Sequence, residues 1–137
     1  MLMTAKPRSV DQHRRLFALI KAAYEHWPET HAFQPDNEEH LRAWLLVKAK
    51  HRRIHKFSFA GGESAAVAEL IPAITLMMLQ KYSWAWPLDD AVAVCVPESI
   101  AFDKLSHADA CKVFDDVEVV LRNEAGLDAD ELLKERP

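Results

Sequence analysis

Three glycines among 137 residues remove most of the phosphate-cradling loops on which nucleotide enzymes are built. Gly61, Gly62 and Gly126 supply no Walker loop, no G-x-G-x-x-G turn and no G-x-S-x-G elbow. Cysteine is nearly as scarce. Cys95 and Cys111 stand 16 residues apart with no C-x-x-C, so they read as small buried hydrophobes in a reducing compartment. The longest apolar run, Ala65–Leu79, contains Glu69 and Pro72 and falls short of the ~20 residues of a membrane helix. It predicts a helix running through the core. The opening Met1-Leu-Met-Thr-Ala-Lys-Pro7 lacks the apolar stretch of a secretory signal. These absences place the chain in a cytoplasm, away from membranes. There is no internal repeat and no low-complexity tract.

What the chain has is charge, unevenly laid out. Residues 1–60 hold 11 Lys/Arg against 6 Asp/Glu, while residues 61–137 hold 6 against 15. A net charge of −4 thus joins a basic half to an acidic one, and such asymmetry can mark a surface for an anionic partner. Most of the seven histidines also lie in the basic half, which grows more cationic as pH falls. A hydrophobic content of 50% fits one globular domain with a real core.

Residue spacing predicts the elements. Ser9 with Gln12 reads as a capping box opening a helix whose apolar stripe is Leu16, Phe17, Ile20, Ala23, Tyr24 and Trp27. Arg14, Ala18, Lys21, Ala22 and Glu25 fall on its opposite face, and Pro28 stops it. Asp36 with Glu39 caps a second helix, with Leu41, Trp44, Leu45 and Lys48 inward, ending around residues 50–53. Ile54–Phe59 alternates as a half-buried strand, and Ser64 can cap the helix of residues 65–81, in which Pro72 marks a kink or a junction. Residues 82–86 and 91–96 read as a hairpin around Pro87–Asp90. Ser99–Phe102 suits a further short strand. Ser106 caps a last helix with Asp109 in the box position and Ala110, Val113, Phe114, Val117, Val120 and Leu121 inward. Gly126 ends it. The expected fold is α+β: about three short antiparallel strands packed with four or five helices, a single domain over residues 1–127, and a charged tail over 128–137 with room for one more short helix.

Two segments carry a resemblance. Arg8-Ser-Val-Asp-Gln-His-Arg-Arg-Leu16, opening a helix that contains Trp27, resembles the RSxDQxR opening of the lambdoid-phage NinB recombination proteins. The wider pattern comprises His13-Arg-Arg-Leu-Phe17, His40-Leu-Arg-Ala-Trp-Leu-Leu-Val-Lys-Ala49 and Pro97-Glu-Ser-Ile-Ala-Phe-Asp-Lys104. It is similar to a prophage family of unknown function (domain of unknown function 1367). Together these segments cover 28 of the 137 residues. The resemblance implies a phage or prophage origin, with single-stranded DNA binding and recombinase loading as the nearest named process.

Candidate site residues follow from the chemistry of phosphate. Non-specific nucleic-acid binding is mainly phosphate neutralisation by Lys and Arg. The candidates are Arg8, Arg14, Arg15 and Lys21 near the first helix and Lys50, Arg52, Arg53 and Lys56 after the second. If the two helices are antiparallel neighbours, the clusters form one patch. The plainer reading is an ordinary solvated surface. Tyr82, Trp84 and Trp86 share one side of a strand and can stack bases, although Trp is more often buried. His51 and His55 are spaced as in H-E-x-x-H, but Arg52-Arg53 between them supplies no general base and repels a cation. No metal and no other cofactor is expected. His13 fills a polar core position. Asp115, Asp116 and Glu118, or Asp89 and Asp90, are most simply solvated, and no nuclease motif can be drawn from Asp89, Glu98 and Asp103. The expected function is therefore a non-enzymatic nucleic-acid-binding accessory of recombination or replication, with single-stranded DNA favoured. The alternative is an adaptor or inhibitor that uses the acidic half against a host defence complex. The chain's size permits a homodimer.

Overall fold

The computed structural model describes residues 5–58, 62–100 and 106–134, with side chains from Asp11 onward. The fold is α+β, with helices and one three-stranded antiparallel sheet, as the periodicities imply. The chain divides into two compact units, Met1–Ala49 with Ser99–Pro137 and Lys50–Glu98. The second is an insertion in the first. Among the described residues no helix is long and apolar enough to cross a membrane.

The first unit is helical. Helix α1 spans Ala5–Glu25 and begins before Ser9, which therefore lies within the helix and does not cap it. Ala5 and Lys6 favour helix, and Pro7 falls in the first turn, where its missing N–H has no intrahelical acceptor to lose. Leu16, Leu19, Ile20, Ala22 and Ala23 are buried. Ala22, expected outward, is buried because α1 meets more than one neighbour: α2 (Glu38–Lys48), α4 (His107–Val120) and α5 (Ala129–Lys134). His13 is buried and donates from Nε2 to the Ile100 carbonyl at 2.6 Å, the polar core role expected of it.

The cap of α2 is Asn37, one residue beyond the expected Asp36. Asn37 Oδ1 accepts from the His40 amide at 2.9 Å, and His40 Nδ1 accepts from the Asp36 amide at 3.0 Å. The histidine thus ties down the residue before the cap, one position earlier than the amide a capping-box glutamate would take. The loop before it is held by aromatic contacts. The Phe33 and Trp44 rings stack at 4.7 Å, Trp27 meets Trp44 edge-on at 5.5 Å, and Trp27 Nε1 donates to the Phe33 carbonyl at 2.8 Å. Such ring pairs contribute about 0.5–1.5 kcal/mol each beyond burial.

Ser106 caps α4 as expected, accepting from the Asp109 amide at 3.1 Å, and Ala110, Val113, Phe114 and Val117 are buried. A π-helical turn, Leu121–Ala125, follows, and Gly126 ends it at φ 67. The short helix allowed in the charged tail forms as α5, which buries Ala129 and Leu132. Ser99 and Ile100 form no strand; residues 101–105, Phe102 included, lie outside the described residues.

The inserted unit runs β1 (Arg52–Ser58), α3 (Ser64–Leu79), β2 (Trp84–Pro87) and β3 (Ala91–Pro97), with strand order β1-β3-β2. Helix α2 stops at Lys48, earlier than expected, because Lys50 adopts a left-handed conformation (φ 68) that turns the chain into β1. The expected β2–β3 hairpin forms, with Pro87 opposite Val92 and Leu88 N–H on Ala91 O at 2.8 Å. At the neck, Arg52 lies opposite Pro97 and the Glu98 amide donates to the His51 carbonyl at 2.9 Å, so entry and exit lie side by side.

Three expectations for this unit are corrected. Helix α3 does not run through the core: only Ser64 and Ala68 are fully buried. One face meets Val92, Val94, Val96 and Ala85 through Val67, Ala68 and Ile71, and the rest is open. Nor does Ser64 cap α3. The N-cap is Glu63, without a side-chain bond, and Ser64 Oγ donates to Leu88 O at 2.7 Å, tying the helix start to the hairpin. Pro72 lies inside one continuous helix. Strand β1 is exposed along nearly its whole length, Phe57 included, because it is an edge strand and α3 packs chiefly over β2 and β3. Phe59 lies outside the described residues.

Two measurements test this account. Gly126 has open space around its α-carbon and φ +67, so Gly126→Ala is expected to lower unfolding free energy by about 1 kcal/mol from backbone strain alone. Gln80 caps α3 at φ 55, so Gln80→Gly should raise it by roughly 0.5–1 kcal/mol; urea denaturation reads both. Burial holds the His40 imidazole below the ordinary 6.5, against the opposing pull of Asp36. A depressed folded value means that the unfolded chain takes up protons first on acidification. The stability contributed by neutral His40 is present above about pH 6.5 and is lost as pH falls through the folded value. Between pH 7.5 and 5.5 the wild type should lose more stability than His40→Gln.

Candidate nucleic-acid interface

The cations flagged in the sequence fall into both units. On α1, Arg14 and Lys21 are exposed and seven residues apart, which places them on one face about 10 Å apart. Arg15 is also exposed, but its guanidinium rests 4.6 Å from the centre of the Phe114 ring on α4. Arg42 similarly lies over Phe17 at 5.3 Å and Lys48 over Trp44 at 5.4 Å. These contacts join charge to the packing of the helical unit. The side chain of Arg8 lies outside the described residues. Within this unit the proposed phosphate contacts that stand clear of aromatic rings are Arg14 and Lys21.

The inserted unit brings more together. Side chains directly opposite in an antiparallel ladder point to the same face. Lys56 lies opposite Ala93, and Ala93 opposite Trp86; Ile54 lies opposite Cys95, and Cys95 opposite Trp84. Two rows therefore cross all three strands, Lys56–Ala93–Trp86 and Ile54–Cys95–Trp84, about 7 Å apart along the strands. They occupy the face opposite α3, because α3 packs on Val92 and Val94, whose side chains alternate to the other side. Arg52 shares the face of the rows. Burial pushes the Cys95 thiol up, and the nearby Arg52 charge opposes that rise without cancelling it.

The floor between the rows' ends is small and apolar, with Ala93 and Cys95 both buried. Lys56 and Ile54 are exposed, Trp84 is half-buried, and Trp86 is 41% exposed. Strand spacing puts Lys56 and Trp86 backbones about 10 Å apart. An indole and an ammonium at this separation can hold a base on one and its phosphate on the other. Arg53, His55 and Phe57 point to the α3 side and are exposed, so β1 carries cations on both faces. Tyr82 precedes β2 and is half-buried. Lys50, exposed, stands at the neck.

The remaining candidates do not converge. His55 lies in β1 and His51 before it, so the helical spacing of a zinc pair is not formed. Among the described residues no group of three or more His, Cys, Asp or Glu is placed to hold a metal ion. Asp116 pairs with Lys112 at 3.1 Å and Asp115 is exposed. One pair was missed by sequence reading: His107 Nε2 lies 3.7 Å from Cys111 Sγ, a contact legible only as i, i+4 spacing on α4. A shallow depression lined by His26, Leu127, Asp128, Glu131 and Lys134 brings neither of them in. Comparison with protein-family models, curated proteins and solved structures yields no match to this chain.

The ring contact of Arg15 gives it a part in stability. Arg15→Ala is expected to lower unfolding free energy by about 0.5–1 kcal/mol, and Arg14→Ala to stay within ~0.5 kcal/mol of wild type, both by chemical denaturation.

Proposed function

We propose that the protein binds single-stranded nucleic acid, DNA by preference, on the sheet of the inserted unit. The observation that carries this reading is the row Lys56–Ala93–Trp86, in which a cation and an exposed indole flank a methyl-sized floor. Trp86 offers a sequence-tolerant stacking surface worth ~1–3 kcal/mol per base. Lys56, with Arg52, Arg53 and Lys50 nearby in the chain, supplies phosphate neutralisation. On the helical unit taken by itself, Arg14 and Lys21, with Arg8 earlier in the same helix, are the cations proposed for phosphate. The resemblance to phage NinB and prophage segments supports an accessory role in recombination or replication. No catalytic role is assigned.

A protein-binding adaptor or inhibitor is the second reading. Its support is the exposed acids Asp109, Asp115, Glu124, Asp130 and Glu131 on α4, the π turn and α5, a surface suited to a basic partner. A stoichiometric partner captured from nuclease-treated host lysate favours it.

Fluorescence anisotropy of labelled single-stranded and duplex oligonucleotides over a salt series tests the leading reading. Lys56→Ala should weaken binding and reduce the log–log salt slope by about 0.7, the single-strand value for one phosphate. Trp86→Ala should weaken binding roughly 5- to 150-fold with the slope unchanged. Binding that is absent at low salt, or indifferent to both substitutions, overturns the sheet assignment.

A further inference from the structure

We infer that the outer face of α3 pairs with α3 of a second copy of this chain, antiparallel, about a two-fold axis between Ala73 and Ile74. A helix packed on a sheet ordinarily presents polar residues to water. On α3 the outward side chains are instead Leu70 at 59%, Ile74 at 51%, Met77 at 80% and Leu76 at 39% exposure, while Met78 and Leu79 continue the sheet-side face of Ile71 and Ala68 into solvent. Taking roughly 180 Å² for each fully exposed side chain, the four outward ones leave on the order of 400 Å² of contiguous apolar surface, a patch size that is often functional, and the flanking alanines and charged ends extend it toward the ~800 Å² per partner of a standard interface.

The pattern on that face is self-complementary. Exposed Ala66, Leu70, Ala73 and Met77 recur at intervals of four, three and four, the seam of paired helices, with small and large residues alternating. Two-fold antiparallel pairing about Ala73 and Ile74 sets Leu70 against the partner's Met77, and Ala73 against the partner's Ile74. Ala73 admits the Ile74 facing it, while Leu70 and Met77 meet each other twice about the axis, as an isologous contact requires. Charge agrees with the same alignment. Exposed Glu63 and Glu69 stand at the start of α3, and exposed Lys81 lies just past its end. Antiparallel pairing brings the partner's Lys81 within about one turn of both acids, twice per dimer. A parallel pair would set like charges together. The sheet face of Lys56 and Trp86 is opposite α3 and takes no part.

Sedimentation equilibrium of the full chain is expected to give twice the chain mass at micromolar concentration. Leu70→Glu with Met77→Glu should weaken association by ~100-fold or more with circular dichroism unchanged, since both side chains are exposed in the single chain. Glu69→Lys should weaken it, and adding Lys81→Glu should restore it. In a Cys111→Ser background, Ala73→Cys should form an intermolecular disulfide on oxidation and Ala66→Cys should not, because the axis lies near residue 73. A monomer at tens of micromolar overturns the inference. So does a dimer indifferent to Leu70 and Met77, equal cross-linking at residues 66 and 73, or a monomer that sediments with lipid vesicles.

Discussion

Seven residue pairs join β1 to β3, from Arg52 opposite Pro97 to Ser58 opposite Ala91, and the parity of that ladder decides which side chains of the inserted unit share a surface. In this register Lys56 and Ile54 lie with Ala93 and Cys95, while Phe57 and His55 lie with Val92 and Val94. A slip of one residue would exchange the two sets. Lys56 would then face α3, and the indoles of β2 would lose their cation. Central β3 cannot slip freely: its valines fill the space under α3, and its other face is small and buried.

The same edge strand answers two physical demands. An exposed edge is a template for unwanted pairing, and charged side chains are the common guard against it. Arg52, Arg53, His55 and Lys56 meet that demand whether or not a nucleic acid is bound. Trp86 does not. An indole 41% exposed on the opposite edge strand carries no charge to guard that edge, so the guarding role of the β1 cations does not extend to it. The helical unit treats its cations differently, laying Arg15, Arg42 and Lys48 over rings so that charge is joined to packing.

Much of the architecture was legible in the residues. The hairpin of Trp84–Pro97, the Ser106 cap, the stop at Gly126 and the burial of His13 all follow from local rules of spacing and turn chemistry. What escaped was set by tertiary context. Ser9 and Ser64 are good caps, yet α1 starts earlier and the Ser64 hydroxyl finds Leu88 O. An apolar run cannot announce how many of its faces the rest of the chain covers, so α3 read as a core helix. The candidate site was legible as parts: Lys56 and Trp86 were each flagged from composition. Their placement in one row depends on the β1–β3–β2 order, which no local pattern encodes.

The hydrogen bond from Glu98 to the His51 carbonyl closes the neck of the inserted unit, and it bears on how such a chain can be assembled from parts. Where a segment's two ends already meet, its host needs only a gap one turn wide. Little loop-closure entropy is then at stake whether the segment is present or replaced by a tight turn. The boundary at Lys50 and Glu98 is thus a natural graft point. A sheet of this kind can be exchanged between helical hosts, or acquired by one, without rewriting the core that receives it.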